Sequence, residues 1–446
     1  VDDLRTGYRD GTLRVHDVVA DVVARLAERG DDAVWIATTP AAELYARAAE
    51  LDALSPGERG PLHGVPVAVK DNIDVAGAAT TAACPAFAYR PPLDAGSVRR
   101  LRDAGAVVVG KTNLDQFATG LNGTRSPYGA PESVFGGDLI SGGSSSGSAV
   151  AVAAGVVTLA LGTDTAGSGR VPAAMNGVVG LKPTRGLVGT SGVVPACRSL
   201  DCVSVFARDP ADAAAALAVL AGPDPDDPWS RAPRSLPVPD ELTLAVPGDL
   251  DVDDAFAGDA AMAAAFAMVA ERATARATAV TTTPTGPLRE AGDLLYTGPW
   301  VAERLAGLEG FLREHPEAVH PAVRAVVGRG SEVTGVETFR ARHRLQELRA
   351  WAGRLFARAD VLLLPTVPTT FTRAELAADP LAPNLVLGRW TQATNLLDLS
   401  ALALPAGTTA DGRPLGVTLV GPAFAEARLL AAAPLVSPPA STQEAP

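Results

Sequence analysis

The stretch "GTDTAGSGRVPAA" (162–174) decides how the rest of the chain is read. It follows the apolar run "VVTLAL" (156–161) and precedes "MNGVVGLK" (175–182), so glycines and small hydroxyls interrupt what otherwise reads as buried structure. Glycines at 167 and 169 allow a tight turn and close approach to the backbone. Pro172 suits the first turn of a short helix. Successive backbone N–H groups of Thr165, Ala166, Gly167 and Ser168 at such a helix start would form a nest for an oxyanion, with the Ser168 hydroxyl beside it. The interruption is a candidate acyl-transfer site.

A second small-residue patch, "SGGSSSGS" (141–148), lies just upstream and admits three readings. A flexible linker would need unstructured flanks, and these flanks read as strand and helix. A phosphate cradle would need the lysine of GxxxxGK[ST], which is missing. The third reading is catalytic. Gly143-Ser144-Ser145-Ser146-Gly147 fits G-x-S-x-G, which would make Ser145 a nucleophile requiring an acid and then a histidine downstream. His315 and His320 lie in "REHPEAVHPAV" (313–323), a polar helix or turn, and His343 lies in the basic helix "FRARHRLQELR" (339–349). None is well placed as a base. A lysine held neutral by burial beside a serine can replace histidine, and Lys70 closes the apolar alternation "VPVAVK" (65–70). The plain alternative is a surface lysine at a strand end. Cys84, in "AACPAF" (82–87), has neither an adjacent base nor an amide nest, and Cys84, Cys197 and Cys202 read as small buried residues.

The chain has 446 residues, 47% of them hydrophobic, enough for a large core. Its net charge of −12 and the lack of a dense Lys/Arg run argue against nucleic acid as a ligand. No run of 18 uncharged apolar residues occurs, and "VDDLRTGYRDG" (1–11) has the wrong charge order for a signal peptide, so a cytoplasmic protein with no membrane partner is expected. Residues 12–60 show helical periodicity, and "GVPVAVKDNIDV" (64–75) switches to strand alternation. A helix should feed a strand at 106–109, and "SGSAVAVAAG" (146–155) should be a short helix ended by Gly155 before a strand near 157–161. The segments 359–370 and 399–424 return to buried-strand character, with helical cover from 253–280 and 286–358. This alternation predicts an α/β chain with a large mixed sheet covered by helices on both faces. One domain is expected over 1–433, with N-terminal helices in 1–60, a Pro/Asp-rich connection at 222–239 inside it, and a disordered low-complexity tail over 434–446.

Taken together and in this order, Lys70 in "GVPVAVKDN", "GGSSSGS" and "GTDTAGSGRVPAA" resemble the amidase signature family with its Ser–cisSer–Lys triad. The resemblance implies the amidase signature fold, with Ser168 as nucleophile, Ser144 as the middle serine after a cis peptide bond, and Lys70 as terminal base. The oxyanion hole falls on Thr165, Ala166, Gly167 and Ser168. Segments 110–129, 167–207 and 395–430 narrow the likeness to the allophanate hydrolases, over nearly the whole chain. That likeness implies hydrolysis of the terminal amide C–N bond of allophanate with release of ammonia, in urea degradation, with no metal or cofactor. It implies coupling to a biotin-dependent urea carboxylase and a homodimer. It places substrate contacts on Gly120 in "FATG" and on Tyr296 and Arg304 in "LLYTGPWVAERLAG" (294–307).

Two features depart from the pattern. Asn122 stands where a small apolar residue is expected, and the chain reads as the amidase domain without the C-terminal domain of about 150 residues to which that family assigns decarboxylation of N-carboxycarbamate. The rival readings are a broad-specificity amidase or an amidotransferase A-type subunit, which share the triad, and a non-catalytic scaffold of the same fold. Tyr296 and Arg304 separate the first two from allophanate hydrolysis. Without the family likeness, Arg304 would merely decorate a helix beside Glu303 or Glu309.

Overall fold

The structure is a computed structural model that describes residues 1–437. Eleven strands form one mixed sheet: β1 (Trp35–Thr38), β2 (Pro66–Lys70), β3 (Val107–Thr112), β4 (Leu159–Asp164), β5 (Val179–Lys182), β6 (Cys202–Ala207), β7 (Thr243–Pro247), β8 (Ala279–Thr283), β9 (Val361–Pro365), β10 (Leu399–Thr408) and β11 (Pro414–Pro422). Their order is β1-β3-β2-β4-β6-β5-β10-β11-β9-β7-β8. β3, β2 and β4 run parallel at one end, and β9, β7 and β8 run parallel at the other. Antiparallel pairing through β6, β5, β10 and β11 joins these two groups. The expected α/β fold with a large mixed sheet is what the chain adopts.

Inner strands such as β2 ("PVAVK") and β9 ("VLLLP") are buried at every position, as strands covered on both faces require. The two edges behave differently. β1 falls inside 12–60, where only helices were expected, and β8 falls at the end of the expected helical stretch 253–280. Each is partly exposed and pairs on one side only, so it carries no continuous apolar run. Helical periodicity beside each one dominates the local pattern: Val15–Arg29 and Ala41–Asp52 flank β1, and Ala260–Arg276 precedes β8.

The start of the expected tail is ordered. Ala433–Leu435 form a 3-10 turn, Val436 is fully buried in the main core, and Arg276 donates to the carbonyls of Pro434 and Ser437. The remainder of 434–446 lies outside the described residues. Among the described residues, no helix is long and apolar enough to cross a membrane.

The sheet decides where the chemistry can sit. Lys70 ends β2, while Thr163 and Asp164 end its parallel neighbour β4, so these polar ends emerge side by side at the carboxyl edge of the parallel strands. The serine patch leads into the helix Ser146–Ala153, and the glycine loop after β4 leads into the helix Val171–Met175, with proline in its first turn.

Candidate active site

Lys70 is fully buried, with Nζ 2.8 Å from Ser144 Oγ and 2.7 Å from Thr163 Oγ1. Burial pushes its pKa down to about 7, against the pull of Asp115, Asp201 and Asp164, which favour the charged form. A neutral amine in this position can accept the Ser144 proton while donating to Thr163. The peptide bond between Gly143 and Ser144 is cis. The Ser144 carbonyl accepts from the Asp115 amide at 3.1 Å, which fixes this turn to the loop after β3.

Ser145 has a different job. Its hydroxyl donates to the Thr163 carbonyl at 3.1 Å and accepts from the Thr163 amide at 3.3 Å, so it is committed to holding the end of β4. Ser168 is 2% exposed, and its hydroxyl makes no hydrogen bond to other described residues. His315 and His343 are exposed, and His320 caps the helix Pro321–Gly328.

The glycine loop is held rigidly from below and from the side. Asp164 accepts from the amides of Gly167 (2.9 Å) and Gly169 (3.0 Å) and pairs with the Arg170 guanidinium at 2.9 Å. Burial opposes ionisation of Asp164, but Arg170, with help from Lys182, holds its pKa below the usual value. Thr391 donates to the Ala166 carbonyl at 2.7 Å, and Asn395 donates to the Asp164 carbonyl at 2.8 Å. Gly167 has φ +129° and packs on Thr391 so closely that a Cβ would collide with that side chain.

One of the four expected oxyanion donors is therefore taken, because the Gly167 N–H is spent on Asp164. The amides of Thr165, Ala166 and Ser168 make no hydrogen bonds to other described groups. Asp201 steadies the same loop: it accepts from Thr165 Oγ1 at 2.5 Å and from the amides of Ala196 and Cys197. Burial pushes its pKa up to about 6 despite those bonds.

The second half of the site is cationic. Arg304 is 2% exposed, donates to Thr119 Oγ1 at 3.1 Å and Tyr296 Oη at 3.3 Å, and stacks 5.0 Å from the Tyr296 ring centroid. Its Nε has no partner, and it pairs with no carboxylate among the described residues. The neighbouring Glu303 turns away to accept from the amide and hydroxyl of Ser199, both at 2.7 Å, and Glu309 is exposed. Burial works against the Arg304 charge, while Tyr296, Cys197, Asp201 and Glu303 together raise its pKa. Gly120 follows Thr119, and a Cβ there would run into the Asp115 carboxylate.

Motif reading passed over Thr163, Asp201, Thr391, Asn395 and Arg125, which belong to the site's supporting shell. Arg125 is fully buried and donates to the Thr119 carbonyl. In the sequence, "TQATN" (391–395) carries no signal that it reaches 225 residues back to the glycine loop.

Comparison with known proteins gives the family of the chain. The amidase family profile matches residues 17–430. The chain is 44% identical to the urea amidolyases of Lachancea kluyveri and Saccharomyces cerevisiae, covering 90% of this chain and 22% of each relative, so it spans about a fifth of their length. It is 39% identical to the A-type subunit of the glutamyl-tRNA(Gln) amidotransferase from Natronomonas pharaonis, over 85% of this chain and 97% of that one. Among solved structures, Kluyveromyces lactis allophanate hydrolase superimposes with a TM-score of 0.91 at 40% identity, covering 97% of this chain and 72% of that one. With the family profile spanning most of its length and a relative matched almost end to end, the chain belongs to the amidase signature family of amidohydrolases.

Proposed function

We propose that this chain hydrolyses allophanate by acyl transfer through Ser168. One observation carries the choice of substrate: a fully buried guanidinium, Arg304, stands beside Tyr296 with no carboxylate among the described residues in ion-pair contact with it. A buried guanidinium with no carboxylate in direct contact suits a substrate that brings its own anion.

In this mechanism Ser168 Oγ attacks the terminal amide carbon of allophanate. Its proton passes to Ser144, and the Ser144 proton passes to neutral Lys70. The Thr165, Ala166 and Ser168 amides receive the developing oxyanion. Collapse of the tetrahedral adduct breaks the C–N bond, and the relay run backwards protonates the leaving nitrogen as ammonia. Water then attacks the Ser168 ester by the same relay and releases N-carboxycarbamate. A biotin-dependent urea carboxylase would supply the substrate, and the chain would act as a homodimer.

A neutral-amide or amidotransferase-type activity is the second reading, favoured by the near end-to-end match to an A-type amidotransferase chain. Ammonia release from allophanate, biuret, malonamate, urea and simple aliphatic amides separates the two. Allophanate should have the highest kcat/KM, and a preference for neutral amides would overturn the proposal.

Ser168 and Ser145 compete for the nucleophile's role, and a fluorophosphonate probe decides between them. The adduct should map by mass spectrometry to Ser168. Ser145→Ala should keep labelling and most of the turnover, since its hydroxyl only braces β4. An adduct on Ser145 with Ser168 unmodified would sink the assignment.

A further inference from the structure

Arg125 is a second buried guanidinium on the same side of the site as Arg304. It is 1% exposed, its Nη1 donates to the Thr119 carbonyl at 3.0 Å, and its Nη2 donates to the Pro380 carbonyl at 2.7 Å. Like Arg304, it has an Nε without a partner, and it pairs with no carboxylate among the described residues. Asp115, an acid close by in sequence, is occupied: its oxygens accept from the Gly123 amide at 3.1 Å and from Arg125's own amide at 2.9 Å. Carbonyls orient a buried cation but do not neutralise it.

The two arginines meet on one residue. Arg125 holds the carbonyl of Thr119, Arg304 holds its hydroxyl, and that hydroxyl in turn donates to the Phe117 carbonyl at 3.1 Å. Arg125 also pins the 380s segment to this wall, where Asn384 Oδ1 accepts from the Leu121 amide at 2.7 Å. A guanidinium reaches two carbonyls at fixed angles, which an ammonium on a flexible stem does not reproduce. Burial lowers the Arg125 pKa, the charges of Asp115 and Tyr296 oppose that shift, and the nearby Arg304 adds to it.

We propose that Arg125 is a positioning residue for the substrate's carboxylate: it fixes Thr119 and the 380s segment, and so the placement of Arg304, and adds a second positive charge behind it. This rests on the reading that Arg304 receives a carboxylate. The substrate class it selects is a short amide that carries a carboxylate at its other end.

The test is equilibrium binding by calorimetry in the Ser168→Ala background, so that no probe is turned over. Malonamate is the carboxylated probe, and malonamide is its neutral counterpart. Arg125→Met should weaken malonamate about tenfold, within the range for coupled neighbours, and leave malonamide within about twofold. Arg125→Lys, which keeps the charge and loses the fork, should fall between. Because Thr119 is a shared link, Arg125→Met with Thr119→Val should weaken malonamate by clearly less than the product of the two single losses. Equal loss of both probes, or fully additive losses, would overturn the proposal. If Arg125→Met fails to fold, the Arg125→Lys and Thr119→Val comparison still decides. A parent that binds malonamate no better than malonamide would instead remove the carboxylate-anchor reading itself.

Discussion

Lys70→Ala is expected to lower kcat by about 10⁴-fold or more, the scale seen when one member of a relay is removed, while the folded state survives. The reason is positional: among the described residues Lys70 Nζ hydrogen-bonds only to the hydroxyls of Ser144 and Thr163, and no histidine hydrogen-bonds to this relay. Because the amine must be neutral, kcat/KM for the wild type should rise with pH through an apparent pKa near the value of about 7 set by burial. The same shift has a stability consequence. Lysine in an unfolded chain titrates near 10.4, so between about pH 7 and about 10.4 the unfolded state binds more protons than the folded one. Wild-type stability from this group is therefore lowest below pH 7 and rises with pH across that window. Lys70→Met removes the term, so its stability advantage over wild type should shrink as pH rises from 7 to 10, measured by urea unfolding. A pH-independent difference, or near-normal turnover in Lys70→Ala, would return Lys70 to a structural role.

Much of this site could be read from residue order alone, because Ser144 and Ser168, the serines of the proposed triad, sit in short glycine-rich motifs with special backbone conformations, and Lys70 closes an apolar strand. Gly167 at φ +129° in "GTDTAGSG" is an example, since local geometry dictates local composition there. The supporting residues were not legible for the opposite reason. Thr391 and Asn395 grip the glycine loop through single hydrogen bonds from a distant segment, and an ordinary Thr or Asn in a helix-rich stretch looks the same whether or not it does so. The Gly167 amide shows the limit of motif geometry from another side. A nest predicts four donors in a row, but the Asp164 carboxylate beneath it takes one, and only the packed structure reveals which. The fold divides in the same way. Inner strands such as β9 announce themselves as apolar runs, whereas β1 and β8, exposed at the two edges, do not.

Arg304→Ala is expected to reduce kcat/KM for allophanate by about 2–4 kcal/mol, or roughly 30- to 1000-fold, while changing kcat/KM for a neutral amide by less than about threefold. The asymmetry follows from the surroundings of the guanidinium. Its direct contacts are two hydroxyls and an aromatic face, and no described carboxylate touches it, so an incoming carboxylate is the direct partner it lacks. Removing it leaves that carboxylate buried and unpaired, whereas a neutral amide loses only packing. Long-range attraction cannot compensate, because the chain as a whole carries −12 and repels small anions. Tyr296→Phe should show the same selectivity in a weaker form, since it removes one hydroxyl but keeps the ring against which Arg304 stacks. The measurement is a paired steady-state comparison on allophanate and an aliphatic amide, at one fixed pH well above 7, where Lys70 is mostly neutral. Equal losses on the two substrates would show that Arg304 supports the fold of the pocket and not the charge of the ligand. The preference for a carboxylated amide would then have to arise elsewhere in the wall formed by Thr119, Gly120 and Arg125.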